Sequence, residues 1–167
     1  MLFRSGSVLG IFYDPALAQQ AHQLGVGATF EAQFNREEDH PLSGRWTHTA
    51  RVVALHDGTC TGRRGVAAGQ TVLLGPTALL QVGGVQVVVV SVRQQCKDPV
   101  FFEMMGVDLA AARSVIVKSR GHFRAGFDEF FPDERIIEVD VPGLTTPDLA
   151  QVKWQRDRKS TRLNSSH

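Results

Sequence analysis

Histidine and cysteine offer the widest chemistry in this 167-residue chain, which holds six of the former and two of the latter. His40, His48 and His56 recur every eight positions. Along one extended strand that interval covers about 26 Å at ~3.3 Å per residue, whereas a zinc ion needs its ligands within about 2.0–2.3 Å. The spacing therefore gives no shared metal on one strand, and His40 falls beside Pro41 and Gly44 in a loop. His56 and Cys60 flank Asp57-Gly58 and could face each other across a turn, but two ligands lack a third, and solvated hairpin residues account for them. No His-Glu-x-x-His helix, P-loop or Gly-x-Ser-x-Gly elbow occurs. Gly25-Val26-Gly27 starts like a dinucleotide fingerprint but follows a helical pattern, where a nucleotide loop must follow a strand and open a helix. A helix C-cap explains it.

Two corners carry more. Val117-Lys118-Ser119-Arg120-Gly121-His122-Phe123-Arg124 lies where a strand pattern ends and a helical one begins. Ligands of open α/β sheets collect at the carboxyl ends of strands, and free N–H groups at a helix start favour an anion. Lys118, Arg120 and Arg124 add positive charge; Ser119 and His122 add donors. The corner reads equally as a carboxylate site, for a peptide-like or amino-acid-like substrate, and as a helix start with ordinary basic surface residues. The second corner runs from Asp140 to Asp148. There Pro142-Gly143 makes a turn, Thr146 caps a helix and Asp148 suits its dipole, which leaves Thr145 as the one residue without a structural task. If the two preceding strands pair in parallel, Asp140 and Thr145 face the first corner. Lys118, Ser119, His122, Arg124 and Thr145 are thus the candidate substrate-binding residues; none is assigned as catalytic.

The elements that must hold these corners follow from periodicity. Residues 8–13 form an apolar run of the kind a buried strand shows. Asp14-Pro15 then supplies an N-cap and a proline at the first helical position. Leu17, Ala21 and Leu24 share one helical face, and Gly25 closes the helix. Residues 29–34, 49–56, 78–82 and 85–92 read as strands, with Asp57-Gly58 and Gly83-Gly84 as two-residue hairpin turns. The last run shows little alternation, which predicts burial on both faces. Residues 99–105 read as a helix stopped at Gly106, 114–118 as a strand, and 122–131 as a helix with Phe123, Phe127 and Phe130 on one face. Residues 135–141 read as a further strand, and Thr146-Pro147 opens a short helix. The expected fold is α/β: a mixed sheet with β-α units at both ends and a central antiparallel β segment.

Composition bounds the function. A hydrophobic fraction of 43% is enough for a sizeable core, and a formal charge of +1 gives no reason to expect nucleic acid or an anionic membrane as partner. The apolar runs are too short to cross a bilayer. Cys60 and Cys96 form no spaced metal pair and read as reduced, partly buried thiols. The expected compartment is the cytoplasm.

Both corners also carry a resemblance. Lys118-Ser119-x-x-His122-Phe123-Arg124-Ala125 and Val139-Asp140-x-Pro142-Gly143-Leu144-Thr145-x-Pro147-Asp148-Leu149 resemble the C-terminal domain of the MlrC (microcystin-degradation) family of bacterial metallopeptidases. Tyr13-Asp14-Pro15, His22-x-x-Gly25-Val26-Gly27, Pro41-Leu42-Ser43-Gly44, Leu74-Gly75-Pro76-Thr77-Ala78 and Asp98-Pro99-x-Phe101-Phe102 agree in order and spacing. The resemblance covers nearly all of residues 6–154. It implies a zinc metallopeptidase-like parent acting on peptide or amide bonds, including linearised microcystin. The metal would be held by a larger N-terminal domain, so that domain and a peptide-like substrate are the implied partners. No metal or cofactor is expected in this chain, which would shape one side of a substrate cleft and be inactive alone. A plain anion- or peptide-binding module and a purely structural domain are the alternatives.

The ends read differently. Residues 157–167 resemble the translation of a common sequencing adapter, and residues 1–5 resemble its reverse strand. The expected organisation is therefore 1–5 adapter-derived, 6–156 an MlrC-type C-terminal domain incomplete at both ends, and 157–167 adapter-derived.

Overall fold

Alternation of side chains along paired strands builds this protein around one sheet with two covered faces. The computed structural model describes residues 6–37, 44–119 and 121–139. The chain divides into a unit of Met1–Ile136 and a second of Ile137–His167. In the first, the elements run β1 (Ser7–Tyr13), α1 (Pro15–Leu24), β2 (Thr29–Phe34), β3 (Trp46–His56), β4 (Thr59–Thr61), a 3-10 turn (Gly65–Ala67), β5 (Thr71–Leu73), β6 (Thr77–Val82), β7 (Val85–Val90), α2 (Val100–Glu103), β8 (Ser114–Val117), α3 (Arg124–Phe127) and a second 3-10 turn (Asp133–Arg135). In the second unit, residues 137–139 take no regular form, and Ile137 is 85% exposed and Val139 73%.

Six strands lie in the order β2-β3-β6-β7-β1-β8. The β2–β3, β3–β6 and β6–β7 pairs are antiparallel, while β1 runs parallel to both β7 and β8. The sheet is mixed, as the α/β reading predicts. Leu79, Val88 and Val90 face one core with Val8, Phe101, Phe102, Met105, Leu109 and Phe127. Their neighbours Ala78, Leu80, Val82, Val87 and Val89 face the other, against Leu17, Ala18 and Ala21 of α1. Both faces of β7 are thus covered, which is why its sequence hardly alternates.

Helix α1 starts where the sequence says it should. The Asp14 carboxylate accepts the Leu17 N–H at 3.0 Å, and its second oxygen accepts the Asn35 N–H at 2.9 Å. One buried cap therefore fixes the helix and the end of β2 together. The Gly25 N–H closes the helix on the Ala21 carbonyl at 3.0 Å.

Four expectations need correction. Leu24 is 47% exposed; the buried stripe of α1 is Leu17, Ala18 and Ala21. Asp57-Gly58 does not close a hairpin of β3 on β4, because β3 is already flanked by β2 and β6. It turns the chain out of the main sheet, and β4 pairs with β5 in a separate two-stranded ribbon. The helix expected over 122–131 is only the single turn of α3, and irregular turns carry the chain on through Phe131. Residues 135–139 form no strand: the 3-10 turn takes Arg135, and residues 136–139 run without ladder partners among the described residues. Positions 140 and 141, and the helix expected at Thr146-Pro147, lie outside the described residues.

Candidate functional site

Strands β7, β1 and β8 run in the same direction, so Val90, Tyr13 and Val117 end at one edge of the sheet. Lys118 and Ser119 follow directly on β8. Lys118 is exposed; Ser119 is half-buried, and its Oγ is shielded from solvent without a hydrogen-bond partner among the described residues. Burying a hydroxyl unpaired is unfavourable. At the end of β1, three residues past the partner of Val117, the Arg93 guanidinium stacks 4.3 Å above the centroid of Tyr13.

The other candidates are placed differently. His122 is exposed and precedes α3 rather than opening it. Arg124 donates through Nη1 to Asp133 Oδ1 at 2.7 Å, and its guanidinium lies 5.4 Å from the centre of the Phe123 ring. Its charge is thus already neutralised by a carboxylate. With Ala125, Asp128, Phe131 and Pro132, this pair lines a shallow open depression. A four-residue helix aligns too few peptide dipoles to serve as an anion site by itself. Arg120, Asp140 and Thr145 lie outside the described residues.

A second cluster is built far more tightly, and the sequence reading passed over it. Asp98 is fully buried, and its Oδ2 accepts the backbone N–H groups of Arg63 at 2.7 Å and Arg64 at 2.9 Å. Its Oδ1 accepts the Val100 N–H at 2.9 Å, which fixes the start of α2. The Arg63 side chain forks onto Glu103 at 3.0 and 2.8 Å and also reaches both carboxylate oxygens of Glu129. Arg64 meets Asp128 at 2.6 Å and Glu129 at 3.3 Å. Hydrogen bonding to Arg63 holds the Glu129 carboxyl below its ordinary value, and the same pairing raises the Arg63 guanidinium. Asp98 appears in the sequence as a conspicuous Asp-Pro start to a helix. Arg63-Arg64 carries no periodic or spacing signal, only its position between Gly62 and Gly65.

Residues 3–156 match the family described as MlrC C-terminus. The chain belongs to that family. Microcystinase C from Sphingomonas sp is 25% identical over 123 residues, which are 74% of this chain and 24% of the relative. A crystal structure from Mesorhizobium sp. BNC1, provisionally named a metallopeptidase, superposes with a TM-score of 0.70 at 25% identity and covers 77% of this chain and 26% of its own. The chain therefore spans about a quarter of the length of these two relatives.

A metallopeptidase relative raises the question of a metal for this MlrC C-terminal domain. Among the described residues, no three His, Cys, Asp or Glu side chains come together in a group that could hold an ion. His56 Nδ1 is taken up by the Gly58 N–H at 3.0 Å, and His22 Nε2 is bonded to the Thr77 carbonyl at 3.0 Å. Burial pushes both thiols up, Cys96 far above the ordinary range and Cys60 less so, with Asp98 adding to each shift. Raised thiols resist becoming the thiolates that zinc requires. The described residues do not fit a zinc centre. No helix among them is long and apolar enough to cross a membrane.

Proposed function

We propose that this domain forms one wall of the substrate cleft in a zinc metallopeptidase-like hydrolase acting on peptide or amide bonds. In this reading the metal and the water it activates belong to an N-terminal domain, and the present chain alone does not hydrolyse peptides. Lys118 and Ser119 orient a carboxylate or carbonyl of the substrate, with His122, Arg124 and Thr145 as further members of that wall. Orientation of this kind lowers a barrier without direct chemistry. The compartment is the cytoplasm, and nucleic acid is not a partner of a chain with formal charge +1.

The observation that carries this reading is the position of Lys118 and Ser119 at the carboxyl end of β8, beside β1, in a family whose matched relatives are named Microcystinase C and a metallopeptidase. Open α/β sheets collect ligands at that edge. The test compares metal content and chelator-sensitive hydrolysis of a linear peptide in a full-length family member and in this chain. Zinc and turnover in the full-length protein alone support the proposal. Stoichiometric metal or chelator-sensitive turnover in this chain alone overturns it.

A structural role has one specific observation in its favour, the Arg124–Asp133 ion pair. Glutamine at the positions of Lys118 and Arg124 in the full-length protein separates the two roles. Substrate positioning lowers activity at unchanged stability, whereas a structural role lowers both together.

A further inference from the structure

We propose that residues 121–135 form a flap that opens as a unit while the six-stranded sheet stays intact, and that Arg63 and Arg64 are the latch that holds it shut. The hydrogen-bond pattern points to this division. The Arg124 N–H bonds to Gly121, those of Gly126 and Phe127 to Phe123, that of Asp128 to Arg124, those of Phe130 and Phe131 to Phe127, and that of Arg135 to Pro132. Among the described residues, every backbone–backbone hydrogen bond made by 121–135 closes within 121–136. Among the described residues, no ladder of the sheet has to break for the flap to leave.

What holds it is carried by side chains. Phe127 is buried and meets Phe102 edge-on at 6.0 Å, and Phe123, Phe130 and Phe131 pack around the same core. Gly126 lies so close to the Lys97 carbonyl that a Cβ there would sit 2.5 Å from its oxygen. Among the described residues, the arginines grip it through carboxylates, Arg63 on Glu129 and Arg64 on Asp128 and Glu129. Arg63 in turn is braced by Glu103, and both arginine backbones are pinned by buried Asp98. The latch is thus anchored rigidly on the sheet side and gripped through partly exposed carboxylates on the flap side. Local opening takes place in contiguous units; this segment closes its backbone hydrogen bonds on itself, and opening it must expose buried Phe127. Its opening would move His122 and Arg124, two of the residues assigned to the substrate wall; only that consequence rests on the proposed function.

The test is amide hydrogen exchange on the whole chain. The reporters are the N–H groups of Phe127, Asp128, Phe130 and Phe131, with Leu79, Leu80, Val88 and Val89 of β6 and β7 as the reference. Arg63→Gln should speed the reporters by roughly three- to tenfold and leave the reference amides at the wild-type rate. Arg63→Lys should behave like Arg63→Gln, because one ammonium cannot fork onto Glu103 and reach Glu129 at once. Glu129→Gln releases the flap side of the latch and should give the same local acceleration should Arg63→Gln fail to fold. Reporter rates unchanged in the variants overturn the proposal. So does an equal acceleration of reporters and reference, which would make the arginines supports of the whole fold. Neither result bears on whether the parent hydrolyses peptides, so the two proposals fail separately.

Discussion

Asp98 and Arg63 are joined through the backbone and not through their opposite charges: the buried carboxylate accepts the Arg63 N–H at 2.7 Å, while the Arg63 guanidinium points away to Glu103 and Glu129. A loop donor at Arg64 and a helix-start donor at Val100 complete the set. Removing the acceptor strands three N–H groups, two of them in the loop between β4 and β5. Leaving a buried donor unsatisfied costs about 1–3 kcal/mol. Asp98→Ala should therefore lower unfolding free energy by about 3 kcal/mol or more, and Asp98→Asn, which keeps one acceptor oxygen, by less. Urea titration followed by circular dichroism gives both values. A loss below about 0.5 kcal/mol for the alanine variant would contradict this account.

Gly58 marks the turn that sends the chain from β3 into the ribbon. Its φ is +82°, and a Cβ there would lie 1.8 Å from the Gly75 carbonyl oxygen. Gly69 has a similar φ of +73° but open space around it. An L-residue at positive φ costs roughly 1–2 kcal/mol, and only at Gly58 does a backbone collision add to that. Gly69→Ala should cost about 1 kcal/mol, and Gly58→Ala several times as much, with loss of the soluble folded protein as one readout and a lowered urea midpoint as the other. Equal effects of the two substitutions would show that the close approach of Gly58 to Gly75 does not matter.

The Cys96 thiol sets a limit at high pH. Burial raises it far above its ordinary value of 9.0, so the folded protein keeps the proton while the unfolded chain releases it. A group raised on folding stabilises below its unfolded value and loses that contribution as pH climbs from there towards the folded value. Stability should fall from about pH 9 upward, at up to ~1.4 kcal/mol per pH unit. Cys96→Ala costs stability at pH 7 through the lost sulfur packing but should show a shallower decline between pH 9 and 10.5. Parallel declines for wild type and variant would remove Cys96 as the cause. Alkylation at pH 8 should label Cys60 slowly and Cys96 only after denaturant is added.

Ser119 offers a test of purpose. Its Oγ is shielded and unpartnered among the described residues, and such a hydroxyl costs about 1–3 kcal/mol relative to a methyl of similar shape. Ser119→Ala should therefore leave stability unchanged or raise it by about 1 kcal/mol. In a full-length family member the same change should weaken peptide turnover. A residue retained against stability is expected at a site that uses it. A clear drop in thermal midpoint on Ser119→Ala would mean that the hydroxyl is satisfied by water and serves the fold.

What was legible in the sequence was local. Asp14 before Pro15 announces the α1 cap, Gly25 its end, and Gly83-Gly84 the β6–β7 hairpin; each needs only a few neighbouring residues, and each stands in the structure. The unbroken apolar run of β7 correctly implied cover on both faces. What failed was non-local. Asp57-Gly58 has hairpin chemistry, yet β3 found its partners in β2 and β6, so the turn serves a different exit. Leu24 has the right spacing for the core but is the last residue of α1 and stands 47% exposed. The 122–131 pattern is helical in its phenylalanines, but Gly126 and Pro132 shorten what can form. Of the candidate site, Lys118 and Ser119 were legible from their place at a strand end. The Asp98–Arg63–Arg64 knot was not, because its partners lie 34 or more residues apart and share no periodicity.

The strand order has a consequence for synthesis on the ribosome. β1 is made first among the described strands yet lies between β7 and β8, and its nearer partner ends 77 positions later, at Val90 against Tyr13. At roughly 5–20 residues per second, the apolar stretch Ser7–Tyr13 waits about 4–15 s before a neighbour exists to pair with it. The β2–β3 and β6–β7 hairpins need no such delay. Synthesis therefore completes the antiparallel part of the sheet while Ser7–Tyr13 still lacks both parallel neighbours, an apolar strand open to capture by a chaperone.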